Sequence, residues 1–205
     1  MSYWIEQKAN CQSGTRQRTK MGFLKKFFIC IIVLIGIGHG IWHNEDFQRK
    51  YIYPYPYRQF IKYYADRYQM DEYLIAGVIL AESKFEPTAQ SINGARGIMQ
   101  IMPETATWIA YQIEDDSFSM GEMYEPERNI KYGTWYLALL SNEFFGNKVL
   151  MLAAYNAGRG NVHEWMKKYN WDKDFNDYKQ IPYPETREYV QKVLKYEQKY
   201  KKLYK

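Results

Sequence analysis

The hydrophobic pattern of the chain changes character near residue 43. From Phe27 to Trp42 the sequence FFICIIVLIGIGHGIW contains no Lys, Arg, Asp or Glu, which is the composition of a membrane-spanning helix. Such a segment rises about 24 Å as a helix, slightly less than the hydrocarbon core of a bilayer at about 30 Å. We therefore predict a transmembrane signal-anchor at residues 27–42, extended by snorkelling of Lys25 and Lys26.

The charges that flank this segment predict its orientation. Two acidic residues, Glu45 and Asp46, follow it, whereas the charged residues shortly before it are all basic. By the positive-inside rule, residues 1–26 form a cytoplasmic segment and the chain after about residue 43 lies on the extracytoplasmic, cell-wall side. Cleavage as a signal peptide remains an alternative, although GIGHGIW offers no A-x-A site. The basic residues nearest to the segment are Arg16, Arg18, Lys20, Lys25 and Lys26.

Beyond the apolar segment the pattern predicts a linker and one mainly α domain. Pro54 and Pro56 interrupt residues 43–56, which we interpret as the linker. From Tyr57 onward apolar residues recur at helical spacing, and Asp71 suits the N-cap of a helix. The domain spans residues 57–205. Helices are predicted at residues 57–69, 71–85, 103–112, 127–142, 147–156, 160–169 and 185–200.

Composition narrows the classes of partner. The net charge of +5 suits an anionic polymer or membrane, but the chain contains no recognisable nucleic-acid-binding motif, so we expect no nucleic-acid partner. Its two cysteines both precede the domain, and its three histidines form no metal-ligand spacing. We expect neither a metal nor another cofactor.

The stretch ILAESKF at residues 79–85 places a carboxylate among apolar positions. Glu82 follows Ile79 by three residues and Val78 by four, so it shares their face of the predicted helix. Burial disfavours the ionised form and raises the pKa of a carboxyl group, which is the property that a general acid needs. The alternative is a structural ion pair with an arginine such as Arg96 or Arg187.

Four motifs in order make the functional interpretation specific. Glu82, Ser83 and Phe85 match E-S-x-F, and residues 97–100 (GIMQ) match G-L-M-Q and continue into Ile101–Pro103. Residues 153–158 read AAYNAG, and residues 181–190 read IPYPETREYV. Together they resemble the lytic transglycosylase domain of the soluble lytic transglycosylases and the related goose-type lysozymes. The resemblance covers about residues 57–200 and implies a lysozyme-like fold.

The resemblance also implies roles for individual residues. Glu82 is the single catalytic acid and then base. Tyr155 and Asn156 close the site, with the Tyr155 hydroxyl as a hydrogen-bond partner of the Glu82 carboxylate. Glu185 is a secondary residue of the cleft. The implied substrate-binding set is Ser91, Gln100, Met102, Tyr155, Asn156 and Glu185.

By this resemblance the chain is a lyase that cleaves the β-1,4 bond between N-acetylmuramic acid and N-acetylglucosamine in peptidoglycan. The substrate's 2-acetamido group helps to stabilise the oxocarbenium-like state, and its C6 hydroxyl replaces water, so that a 1,6-anhydromuramic end forms. Two alternatives remain open. One is a hydrolytic muramidase on the same fold, and the other is a non-catalytic wall-binding scaffold of a secretion, conjugation or sporulation assembly.

Overall fold

A computed structural model describes residues 27–205 of the chain, and the predicted cytoplasmic segment at residues 1–26 lies outside them. The chain divides into an N-terminal unit that ends at Ile52 and a second unit, Tyr53–Lys205.

The described part of the N-terminal unit is helical. It contains α1 (Phe27–His43), the short α2 (Glu45–Phe47) and a π-helix (Gln48–Ile52). The side chain of Asn44 caps α2 by accepting a hydrogen bond from the backbone N–H of Phe47 at 2.9 Å. Within residues 27–205, no single helix is both long and apolar enough to cross a membrane, and α1 meets the criteria only when paired with Glu45–Ile52, from which it is bent by 65°.

The second unit contains seven longer α-helices: α3 (Arg58–Tyr68), α4 (Glu72–Glu82), α5 (Pro103–Gln112), α6 (Pro126–Glu143), α7 (Lys148–Ala157), α8 (Arg159–Tyr169) and α9 (Pro184–Tyr204). Two 3-10 helices (Met120–Tyr124 and Tyr178–Gln180) complete its helical elements. Among the described residues, β structure is limited to two isolated bridges, Gln90 to Arg96 and Arg96 to Ile101. The prediction of a mainly α fold is therefore confirmed.

The central helix of this unit is α4, which is buried on every side from Leu74 to Leu80 and packs against α9. Gly77 makes this approach possible, because a Cβ atom there would lie 3.1 Å from the backbone nitrogen of Glu197. The predicted N-cap is confirmed: the Asp71 carboxylate accepts from the N–H groups of Tyr73 and Leu74. The helix predicted to continue to Phe85 instead ends at Glu82.

Two features differ from the predicted boundaries. After α4, Lys84 and Phe85 adopt left-handed φ values of +55° and +67°, which a helix cannot accommodate. The predicted linker at residues 43–56 contains α2 and the π-helix, and its last residues belong to the second unit. There the hydroxyl of Tyr200 donates to the carbonyl of Pro54 at 2.7 Å, so residues 53–56 are fixed against α9 rather than serving as a spacer.

Candidate active site

Three chain segments meet at the end of α4. Glu82 is the last residue of α4, Tyr155 and Asn156 lie in the last turn of α7, and Tyr189 lies in the first half of α9. Gly158 follows the last residue of α7, and its φ of +90° is readily adopted by glycine but rarely by other residues. The end of α4 and the adjacent parts of α7 and α9 therefore form one site.

The Glu82 carboxyl group lies in an environment that opposes ionisation. Desolvation by burial raises its pKa to about 7, and the negative charge of Glu185 contributes in the same direction. The hydroxyl of Tyr189 and the ammonium group of Lys192 act in the opposite direction and only partly offset burial. At neutral pH, Glu82 is therefore protonated in a substantial share of molecules.

The structure does not support the structural ion pair considered for Glu82. Within residues 27–205, no arginine or lysine forms a salt bridge with this carboxylate. Arg96 lies over the ring of Tyr124, and Arg187 donates to the carbonyl of Lys179. The two arginines proposed as partners are thus engaged elsewhere.

The prediction of a hydrogen bond between the Tyr155 hydroxyl and the Glu82 carboxylate is wrong. The Tyr155 hydroxyl donates to the carbonyl of Met99 at 2.8 Å, and a hydroxyl group has only one proton to donate. Tyr155 nevertheless lies close to Glu82. Burial raises the pKa of its phenol, and the charge of Glu82 raises it further. Its hydroxyl fixes the loop that follows α4 instead of binding the carboxylate.

Tyr189 is the tyrosine that acts on Glu82, although the sequence had suggested no role for it. Its hydroxyl is buried and makes no hydrogen bond of normal geometry with the described residues, yet it is close enough to act as a donor that lowers the pKa of Glu82. Burial and then the charge of Glu82 raise the pKa of Tyr189 itself. A signal was present, since Tyr189 belongs to the matched motif IPYPETREYV.

The loop between α4 and α5 is held by buried polar contacts. The Ser83 hydroxyl donates to the carbonyl of Ile98 at 2.8 Å, which gives this motif residue a structural role. The fully buried amide of Asn129 accepts from the N–H of Met99 at 2.8 Å and donates to the carbonyls of Arg96 and Met123 at 3.0 and 2.8 Å. Asn129 was also missed, because a single amide in an amphipathic helix gives no local signal.

Gly97 and Gln100 shape the same loop. A Cβ atom on Gly97 would lie 2.1 Å from the carbonyl oxygen of Met123, and its φ is +76°, so a side chain is excluded at this position. The amide nitrogen of Gln100 donates to the carbonyls of Ala89 and Gly97 at 3.0 and 2.8 Å. Gln100 therefore retains its side-chain oxygen as the atom that it can offer to a ligand.

A cavity of about 270 Å³ brings four of the predicted binding residues together. The exposed Ser91 does not line it, and its side-chain oxygen accepts from the N–H of Ala95. Glu185 is exposed at the start of α9 and acts on Glu82 through its charge. The four residues that do line the cavity are Gln100, Met102, Tyr155 and Asn156.

The model of the transglycosylase SLT domain family matches residues 59–178, which include α4, the loop and α7. The chain belongs to this family. Residues 180–205 also match the model of the soluble lytic transglycosylase helical domain. The residues matched to the SLT domain thus include Glu82 and the cavity lining, and the second match covers α9 with Tyr189.

Relatives of this SLT domain are considerably longer proteins. The chain is 34% identical over 151 residues to the soluble lytic murein transglycosylase of Escherichia coli, covering 73% of this chain but 23% of that protein. It is also 34% identical over 146 residues to the membrane-bound lytic murein transglycosylase C of Haemophilus influenzae, covering 67% of this chain and 38% of that protein.

Solved structures show the same fold. The crystal structure of the 70 kDa soluble lytic transglycosylase from Escherichia coli matches with a TM-score of 0.71 and 31% identity, covering 81% of this chain and 26% of that one. An inactive mutant of the lytic transglycosylase Slt from Pseudomonas aeruginosa matches with a TM-score of 0.66 and 34% identity, covering 74% and 25%. The lysozyme-type fold expected for the second unit is confirmed.

Proposed function

We propose that this SLT domain is a peptidoglycan lytic transglycosylase that cleaves the β-1,4 bond between N-acetylmuramic acid and N-acetylglucosamine and leaves 1,6-anhydromuramic ends. The observation that carries the proposal is the carboxyl group of Glu82, whose pKa of about 7 lets it donate a proton near neutral pH. Family membership and the relatives' printed activities support the same reaction.

In the proposed reaction, Glu82 acts twice. The protonated carboxyl donates its proton to the glycosidic oxygen as the bond to the muramic C1 atom breaks. The resulting carboxylate then takes the proton of the C6 hydroxyl as that oxygen bonds to C1, so the carboxyl group is regenerated and no water is consumed. The buried hydroxyl of Tyr189 stabilises the intermediate carboxylate, because it is a donor beside Glu82 with no other acceptor of normal geometry in the described structure.

The predicted binding residues have distinct parts in this proposal. Gln100, Met102 and Asn156 line the groove for the sugar rings, and Tyr155 holds the loop that shapes it. The side-chain oxygen of Asn156 accepts from the hydroxyl of Thr186 at 2.8 Å, which leaves its amide N–H groups for the substrate. Ser91 lies outside the cavity lining, so any contact with the strand occurs further along the surface.

A hydrolytic muramidase is the second candidate, and Glu185 is the observation that favours it. This residue is an exposed acid close enough to Glu82 to raise the pKa of Glu82. A second carboxylate is what an ordinary glycosidase uses to activate water. The two reactions differ in product, since hydrolysis gives reducing muramic ends and transglycosylation gives anhydro ends.

Digestion of purified peptidoglycan followed by mass spectrometry tests the proposal. The wild-type chain should release anhydromuramic ends, and Glu82→Gln should lower the rate about a thousand-fold or more, since it removes both acid and base. Glu164→Gln is the matched control, because it removes the same charge from an exposed position on α8. Reducible muramic ends from the wild type would favour the muramidase, and equal clearing by wild type and Glu82→Gln would favour the scaffold.

We also infer that α1 anchors the domain at residues 57–205 to the outer face of the cell membrane, with residues 1–26 in the cytoplasm. Its apolar side chains support this, since Ile32 and Leu34 are 67% and 66% exposed, as does a relative described as membrane-bound. Deletion of residues 27–42 should move the chain from the carbonate-resistant membrane pellet to the soluble fraction. Identical fractionation of both forms would contradict the anchor.

A further inference from the structure

A second cavity adjoins the cavity of the candidate active site. It has a volume of about 280 Å³ and is lined by Glu104, Thr105, Trp108, Tyr136 and Arg159. Thr105 and Tyr136 line both cavities. A strand bound in the first cavity can therefore extend, or project a substituent, into the second without leaving the protein surface.

One wall of this second cavity is aromatic. The ring of Trp108 lies 6.3 Å from that of Tyr136 in an edge-to-face arrangement, and Tyr136 lies 5.8 Å from Tyr155. Trp135 supports Trp108 from behind at 5.7 Å. Rings fixed in this way present apolar surface at little entropic cost, so the wall suits the apolar face of a sugar or of a short side chain.

Arg159, the first residue of α8, adds a positive charge to this largely aromatic cavity. Its Nε atom donates to the carboxylate of Glu143 at 3.1 Å, and the Nε2 atom of His163 lies 2.6 Å from the same oxygen. Within residues 27–205, the two terminal nitrogens of Arg159 make no hydrogen bond. The guanidinium group is thus held at one side and keeps the pair of donors that binds a carboxylate.

Glu104 restricts the kinds of anionic ligand that this cavity can bind. This residue also lines the cavity, and no salt bridge joins it to Arg159 in the described part of the chain. A bare inorganic anion would be repelled by Glu104 without gaining from Trp108. A carboxylate attached to a larger group can instead reach Arg159 while its apolar part packs on the tryptophan.

We propose that this cavity is an accessory subsite in which Arg159 binds a carboxylate carried by a muramic residue of the glycan strand and Trp108 packs against the apolar part of that residue. This inference rests on the proposed function, since it takes peptidoglycan as the substrate. The carboxylate has two possible sources, the lactyl group of a strand without peptides and the stem peptide of a decorated strand.

Calorimetric binding to the whole 205-residue chain in detergent tests the subsite, in a Glu82→Gln background that prevents cleavage. The ligands are peptide-bearing glycan fragments, fragments stripped of peptides, and chitin oligosaccharides, which carry no carboxylate. Arg159→Gln should weaken binding of a carboxylate-bearing fragment about tenfold, the value of one charge-assisted contact. It should leave chitin binding unchanged. If Arg159→Gln weakens binding of the peptide-bearing fragment alone, the carboxylate belongs to the stem peptide. If it weakens binding of the stripped fragment, the carboxylate belongs to the lactyl group.

Lys168→Gln is the matched control. It removes the same charge from the same helix, nine residues further on and therefore on the opposite face, and it should bind all three ligands as the background does. Trp108→Leu should weaken binding of the same fragments. This second variant keeps the test informative if Arg159→Gln is unstable. Unchanged binding in both subsite variants, or equal weakening for chitin, would overturn the subsite. Anhydro ends released by the wild-type chain would still support the proposed function.

Discussion

Glu82 and Asp115 are two largely buried carboxylates in one domain that have opposite acid–base behaviour. Burial raises the pKa of Glu82 to about 7. Burial also acts to raise the pKa of Asp115, whose side chain is 9% exposed, but hydrogen bonds and positive charges outweigh it and lower the pKa to about 2. Loss of solvent acts in the same direction at both sites, so it does not account for the lowered pKa of Asp115.

The difference lies in the donors around each group. Asp115 accepts from the hydroxyls of Ser117 and Tyr132 at 2.7 and 2.9 Å and lies 3.4 Å from both Arg128 and Lys131. At Glu82, Tyr189 is the one nearby donor that lowers the pKa by hydrogen bonding, and two other donors are directed elsewhere. The proton of Tyr155 goes to Met99, and the ammonium group of Lys192 donates to the carbonyl of Ala81 at 3.4 Å. A carboxyl group suited to proton donation is thus defined by how few donors its surroundings provide.

The pH dependence of stability should separate the two sites most strongly. Because the folded-state pKa of Glu82 is raised, its neutral form favours folding below the unfolded pKa of about 4.5, and this contribution is lost as pH rises to about 7. The loss amounts to about 1.4 kcal/mol per pH unit, or about 3 kcal/mol in total. In urea unfolding, Glu82→Gln should therefore be more stable than the wild type at pH 8 and similar to it at pH 4.

The control for this prediction is Glu164→Gln, which should follow the wild-type curve at every pH. A Glu82→Gln variant that is less stable than the wild type at pH 8 would mean that the ionised carboxylate is satisfied in the folded state. The contrast with Asp115 would then fail.

Asp115→Asn should have the opposite effect on stability. It removes the acceptor charge shared by Arg128, Lys131 and Tyr132, and we expect a loss of about 2 kcal/mol at pH 7, less than for a fully buried pair because both cations reach solvent. The greater stability of the wild type should disappear as pH falls from about 4 to about 2, where Asp115 itself becomes protonated. Thermal unfolding of both forms between pH 2 and pH 7 measures this.

Activity completes the test of Asp115. Below its unfolding temperature, Asp115→Asn should digest peptidoglycan at the wild-type rate, since Asp115 lines neither cavity. A rate loss comparable with that of Glu82→Gln would show that Asp115 is part of the site and would remove the basis of the comparison.

Local sequence patterns predicted much of the fold. Helical periodicity and capping located α5 at residues 103–112 as observed, and placed α6, α7 and α8 within one residue of their ends. The end of α4 was misplaced because ESKF has ordinary helical composition, and only the left-handed turn at Lys84 and Phe85 reveals the break. Phe85 is buried in that turn, and burial of a side chain against other elements is a tertiary effect that a local pattern does not show.

The site was predictable in part for a related reason. The position of Glu82 among Val78 and Ile79 indicated a raised pKa, because the apolar face and the carboxylate lie within one helix. Which tyrosine acts on Glu82 depends on how α7 and α9 meet α4, and helix packing leaves no short-range pattern. The sequence therefore pointed to Tyr155, whereas Tyr189 is the tyrosine whose hydroxyl lowers the pKa of Glu82.

The smallest predicted effect concerns these two tyrosines. Tyr189→Phe removes a donor that lowers the pKa of Glu82, so the basic limb of the pH–rate profile should move upward by about half to one unit. The rate should fall about tenfold, since the intermediate carboxylate loses a donor. Tyr155→Phe is the same chemical change but removes the hydrogen bond to Met99. It should cost about 1 kcal/mol of stability and leave the basic limb unmoved. If both variants shift the limb equally, or if only Tyr155→Phe shifts it, then Tyr189 is not the donor that sets the pKa of Glu82.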